Sequence, residues 1–242
     1  MLLVTPPPDP EFKAKVEDIC EVYEHAIERA HHGELTFSVD EMTGIQALER
    51  TMPDIPMKPG RCIRVEFEYS RHGTQALIAS FNVATGRIDP ANVGDTRTEK
   101  DLDTHLRTLL KQHPDALKVH LVMDCLNTHQ SEAMVRLVAE REPGPIELGE
   151  KGKSGILKSM ATRREFLTLD THRVVVHFTP KHCSWLNQIE IWFSILVRKL
   201  LRRASFTSQA DLKAKILDFV DYFNRTMAKP FKWTYKGKPL TA

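Results

Sequence analysis

The stretch Ala76–Val83, ALIASFNV, narrows the fold more than any other. Eight residues run almost without a polar side chain, which reads as a strand buried on both faces near the middle of a sheet. Such a strand needs cover on both sides, and the flanking sequence supplies it. Leu35, Phe37 and Val39 alternate with polar residues up to Asp40, a first strand. Ile63, Val65, Phe67 and Tyr69 alternate likewise, and Arg71-His72-Gly73-Thr74 is a hairpin connection leading into ALIASFNV. Val119–Met123 and Val174–Phe178 are short apolar strands. Helices are predicted over Glu99–His113 (Leu102, Leu106, Leu109, Leu110 on one face), ahead of the first of these strands, and over Ser131–Glu140, between the two. A last helix is capped by Thr207 or Ser208 and carries Leu212, Ile216, Phe219, Val220 and Phe223 inward. This is a mixed five-stranded sheet flanked by helices, an α/β fold.

The amino-terminal part, residues 1–33, reads as a Pro-rich linker and a helix capped by Asp9. Its seam of Phe12, Val16, Ile19, Tyr23, Ala26 and Ala30 either docks on its own domain or pairs with a second copy in a homodimer. Residues 34–206 form the main domain, with a basic insertion at about 141–171; 207–242 add the final helix and an aromatic-basic tail, KPFKWTYKGK.

Charge excludes little by itself, since 34 Lys and Arg against 32 Asp and Glu leave a net +2. Any nucleic-acid contact must come from local clusters. Two stand out. Lys151, Lys153, Lys158, Arg163 and Arg164 fall in a stretch without acids, and Arg198, Lys199, Arg202 and Arg203 follow one another closely near a helix end. Both are predicted to meet DNA backbone. Cys20, Cys62, Cys125 and Cys183 are widely spaced with no C-x-x-C pair, against a zinc ribbon or a disulfide-stapled domain. His177, His182 and Cys183 do not have a standard zinc spacing either. Neither a signal peptide nor a run of about 18 apolar residues is present, so a cytoplasmic protein is expected.

Chemistry is concentrated in three acids. In Thr179–Leu196, TPKHCSWLNQIEIWFSIL, apolar residues at 186, 189, 193, 196 and 200 mark a buried helical face, and Glu190 projects from it. A carboxylate there needs a cationic partner, a proton or a metal ion. Asp40 and Asp124 each end an apolar strand, where α/β sheets place reactive groups. Three carboxylates that converge persist most easily around a cation, and all-oxygen ligands select magnesium or manganese. A pair of such ions about 4 Å apart serves in-line phosphoryl transfer. His129, five residues beyond Asp124, and Asn187, three before Glu190, are candidate supporting residues.

Three motifs are more specific than the spacing: VDEMTGIQALER (39–50), MDCLNTH (123–129) and TPKHCSWLNQIEIWF (179–193). Together they resemble the catalytic domain of bacterial insertion-sequence transposases of the mariner superfamily, over nearly the whole chain. The resemblance implies a ribonuclease-H-like fold and a DDE site made of Asp40, Asp124 and Glu190. It also implies a magnesium-dependent activity that cuts double-stranded DNA at transposon ends and joins the freed 3′-hydroxyl to target DNA. The chain departs from the family in carrying Cys125 where Asn usually follows the second acid. The interval between Asp124 and Glu190 is long for these transposases, and no helix-turn-helix segment is expected ahead of residue 34. An inactive DNA-binding relic and a general ribonuclease-H-like nuclease are the alternative readings.

Overall fold

A computed structural model of the chain describes residues 10–53, 55–64 and 66–235. The expected linker, the Asp9 cap, Val65 and the end of the tail lie outside these residues. Helices α1 (Phe12–Glu24) and α2 (Ala26–His31) precede β1 (Glu34–Arg50), β2 (Tyr69–Asn82) and β3 (Ile88–Gly94). Then follow α3 (Glu99–Gln112), β4 (Lys118–Met123), α4 (Glu132–Ala139), α5 (Met160–Leu167), β5 (Val174–Phe178), α6 (Ile189–Leu196) and α7 (Gln209–Thr226). The strands form one sheet in the order β3-β2-β1-β4-β5. β1, β2 and β3 are an antiparallel meander, while β4 pairs parallel with both β1 and β5. This is the mixed, ribonuclease-H-like sheet that the motifs implied.

Each face of the sheet is closed by its own apolar layer. On one, Ile19 and Tyr23 of α1, Trp192 and Leu196 of α6, and Ile216 and Phe223 of α7 pack on Leu77, Ala79 and Phe81. On the other, Leu106 and Leu109 of α3, Val135 of α4 and Leu167 of α5 cover Phe37, Val39 and Leu121. Each fully buried Leu, Ile or Phe contributes roughly 1.5–3 kcal/mol. The seam of the first helix therefore docks on its own sheet, though that helix breaks at His25. Among the described residues no helix is long and apolar enough to cross a membrane.

Several elements differ from expectation. Asp40 does not end its strand: β1 runs on to Arg50 through irregularities after Met42 and Gln46, with Gly44 at φ 65°. Of the predicted strand at 63–69, Ile63, Arg64 and residues 66–68 lie outside any strand, Arg64 making only an isolated bridge to Ile55, and pairing begins at Tyr69 with Arg50. The fifth strand is instead β3, whose Pro90 disguises it; as an edge strand it tolerates a residue that cannot donate. The basic insertion contains α5, opened by a Ser159–Thr162 capping box and anchored by Phe166 and Leu167. At α6 the helix proper starts at Ile189, with Leu186 in a preceding 3₁₀ turn.

Candidate active site

Alternation along β1 sends Ser38 and Asp40 toward α6, and Phe37, Val39 and Glu41 toward the opposite layer. Asp40 is buried (5% exposed). Its Oδ1 accepts the Glu41 N–H at 2.8 Å and its Oδ2 accepts the Asn187 amide at 3.1 Å. Asn187, fully buried, also donates to the Val39 carbonyl at 3.0 Å and accepts from the Ser38 hydroxyl. Ser38 Oγ in turn accepts the Ile189 N–H at 2.8 Å, and the Tyr23 hydroxyl accepts the Gln188 N–H at 3.3 Å. The start of α6 is thereby stitched to β1 and α1 beside Asp40. Asn187 thus supports the first acid, Asp40, rather than Glu190.

Asp124 follows the last residue of β4, half-buried. Its Oδ1 accepts the Leu126 N–H at 2.9 Å and lies 2.7 Å from His129 Nδ1. Glu190, the second residue of α6, is half-exposed, and among the described residues no Arg or Lys pairs with it. The structural ion pair that could have explained a carboxylate on this helix is not what holds it. Trp192 occupies the buried stripe, and Glu190 sits at its margin.

Electrostatics links the three acids. Burial, reinforced by the charge of Asp124, pushes Asp40 up to about 7 against the pull of the Glu41 amide and of His129. Burial and the same Asp124 charge raise Glu190. Asp124 itself would be raised by burial, but the hydrogen bond and charge of His129 outweigh that and hold it low. His129 is fully buried; burial would discharge the ring, yet its bonds to Asp124 and Glu41 push it up to about 10. Its Nε2 lies 3.3 Å from Glu41 Oε1, while Glu41 Oε2 is buried without a partner, at a cost of roughly 1–3 kcal/mol.

Folded Asp40 keeps its proton up to about pH 7, whereas unfolded it loses it near pH 3.9. This stabilisation is complete below about pH 4 and is lost as pH rises through 7. In metal-free protein, Asp40→Asn is expected to gain on wild type between pH 4 and 8, by up to about 4 kcal/mol. Melting curves in chelator across that range check it, and a pH-independent difference would be the wrong result.

Hard oxygen donors, one of them unpaired and two raised by their neighbour's charge, fit a divalent cation. Among the described residues no three His, Cys, Asp or Glu side chains are close enough to hold an ion as they stand. Asp40, Asp124 and Glu190 therefore share one region without closing on a single point.

The predicted basic residues divide. Arg198 and Arg202 line a cleft of about 450 Å³ with Glu190, Met42 and Phe193. In an unbroken α-helix the twelfth residue after Glu190 would point ~120° away from it. Here α6 continues into a π turn at Val197–Leu201, which takes up one extra residue and returns Arg202 to the face of Glu190. Lys199 and Arg203 are exposed nearby, as is Lys158 on the insertion. Lys153 pairs with Glu150 and Lys151 reaches Glu132 at 3.6 Å. Arg163 and Arg164 do not face outward as predicted. Arg163 donates to the carbonyls of Gln130 and Leu157, and Arg164 pairs with Glu11 at 3.0 Å over the Phe178 ring. Both follow from α5 packing on the core through Phe166 and Leu167, inside the segment expected only as a basic insertion.

Glu41 went unnoticed in the sequence because an acid next to Asp40 on a strand points to the other face. Cys125 donates to the Thr179 carbonyl at 3.1 Å, which ties the second motif to the third. Asp124 itself lines a cavity of about 580 Å³ together with Cys125, Thr179, Lys181, His182 and Ser184.

Comparison with known proteins matches this geometry to a family. The Mos1 transposase paired-end complex with left transposon end aligns at a TM-score of 0.50 and 12% identity, over 95% of this chain and 59% of that one. A Mos1 mariner paired-end complex with Mn gives 0.48 at 13%, covering 92% and 60%. The Mos1 mariner catalytic domain gives 0.48 at 10%, covering 90% and 85%. Identities this low show the fold alone, and the chain spans about 59% of the length of the first of these proteins. No curated protein sequence matches. The family of DDE superfamily endonucleases matches residues 36–213, a span that runs from β1 into α7 and takes in all three acids. With most of its length inside that match, the chain belongs to the DDE superfamily of endonucleases.

Proposed function

We propose that the chain is the catalytic part of a transposase, which cuts double-stranded DNA at the ends of a mobile element and joins the freed 3′-hydroxyl to target DNA. The observation that carries this is the shared field of Asp40, Asp124 and Glu190, with no Arg or Lys pairing with Glu190 among the described residues. In this reading the three acids hold magnesium or manganese. Bound by these residues, such an ion would supply an activated water or hydroxyl and charge stabilisation for the leaving oxygen. Asn187 keeps the Asp40 carboxylate aimed, and Arg198 and Arg202 hold backbone phosphates beside Glu190. The Mos1 complex is a paired-end assembly on a transposon end; two protomers on paired ends are part of the same proposal, acting on DNA in the bacterial cytoplasm.

The test is incubation with DNA carrying the element's ends, a target plasmid, and magnesium or manganese. Joined products that vanish in Asp124→Asn are expected. Cleavage that never yields joined products would leave a plain nuclease, and cleavage unchanged by Asp124→Asn would remove the acids from the chemistry.

The cleft makes a separate prediction. Arg202→Ala is expected to weaken DNA binding about equally for all sequences and to lower the slope of log affinity against log salt by about 1. Binding measured at several salt concentrations decides; an unchanged slope would place Arg202 away from phosphate.

A further inference from the structure

We propose that Glu41 is a positioning residue: through His129 it fixes the orientation of the Asp124 carboxylate and so sets the affinity of the acidic cluster for its divalent ion. The proposal rests on the metal-site reading above.

The geometry is a three-part brace across two strands. Glu41 lies on β1 and points to the layer opposite Asp40, where its side chain is 1% exposed. His129 follows β4 and is fully buried between two carboxylates, with Nε2 3.3 Å from Glu41 and Nδ1 2.7 Å from Asp124. Nδ1 meets the Asp124 carbonyl and carboxylate and Nε2 meets the Glu41 carboxylate, so each ring nitrogen faces oxygen. A ring held at one end can pivot, whereas this one is pinned at both. The Asp124 side chain is more open, at 27% exposed, and without His129 only the Leu126 N–H would hold its rotamer. The Leu126 N–H bonds Oδ1, and His129 Nδ1 lies 2.7 Å from the same oxygen while also donating to the Asp124 backbone carbonyl at 3.1 Å. Oδ2 is the oxygen left for an ion. A solvated acid or a helix cap has no reason to sit where Glu41 sits, with one oxygen on His129 and the other orphaned. Partners one step removed from a metal act in this way, by orienting the group that touches it.

The experiment is Mn²⁺ titration of the full chain followed by electron paramagnetic resonance, with melting curves as the check on folding. Glu41→Ala is expected to weaken Mn²⁺ binding by about 10–100-fold. Glu41→Gln, which keeps an acceptor at the same place, is expected to recover most of that loss. Glu41→Ala added to His129→Asn should cost nothing beyond His129→Asn alone, because the brace is already broken. Should Glu41→Ala fold poorly, His129→Asn with Glu41→Gln read the same linkage in folded protein. Affinity within twofold of wild type in folded Glu41→Ala overturns the proposal. Equal losses in Glu41→Ala and Glu41→Gln overturn it too, since Glu41 would then act by charge or as a ligand. Asp124→Asn separates the two levels: Mn²⁺ binding that survives it overturns the metal site itself, together with the brace. Binding abolished there but untouched in Glu41→Ala overturns the brace alone.

Discussion

Glu190→Ala is expected to lower metal-dependent DNA nicking by on the order of 10³-fold, while the melting temperature stays level or rises. A metal ligand contributes several kcal/mol of charge stabilisation to the transition state, and each 1.36 kcal/mol is a factor of ten in rate. The opposite sign for stability follows from the environment. Burial and the nearby Asp124 charge make an ionised Glu190 unfavourable in the folded chain, so removing it relieves repulsion. A carboxylate serving a structural ion pair would behave otherwise. Its loss would strand a partner cation and destabilise by roughly 3–5 kcal/mol. Single-turnover nicking and a thermal melt of the same variant therefore separate the two roles. Nicking within threefold of wild type, or a cooperative melt displaced well downward, would contradict the assignment.

Asn187→Leu is expected to be the costliest single change for stability near the site. The side chain has no contact with water and joins Ser38, Val39 and Asp40 at the entry to α6. Leucine has a similar size but leaves the Val39 carbonyl and one Asp40 oxygen buried and unpaired. At roughly 1–3 kcal/mol for each unsatisfied group, a loss of about 3 kcal/mol follows. For a chain of this length that lowers the melting temperature by roughly 6–12 °C. Activity should fall further than stability explains, because Asp40 loses the donor that aims it. Calorimetry and nicking assays on Asn187→Leu test this, and a melt within 2 °C of wild type would show that the amide is dispensable.

Much of this arrangement was legible in the chain. Strands with clean period-two or unbroken apolar patterns, such as Val119–Met123 and Val174–Phe178, fall where their patterns put them. So do α3 and α7, whose caps and apolar stripes agree. The three acids were visible because each interrupts or ends such a pattern. What stayed hidden depended on partners distant in sequence. Residues beyond Asp40 carry no strand alternation, and β1 persists there only because β2 pairs with it. Pro90 made β3 look like a loop until its edge position was known. Arg163 read as a surface cation because nothing local reveals that the carbonyls of Gln130 and Leu157 await it. Glu41 was overlooked for a related reason: only the sheet's two-sidedness explains how neighbouring acids serve separate partners.

The π turn after α6 bears on how the enzyme can change over generations. A loop of helix that already stores one surplus residue can lose it and relax to ordinary pitch, with Arg202 still beside Glu190. Lineages descended from such a chain could therefore shorten this segment by a single codon without rotating the basic end away from the acids. The same deletion a turn earlier, within Ile189–Leu196, would swing Trp192 or Phe193 out of the core and be purged.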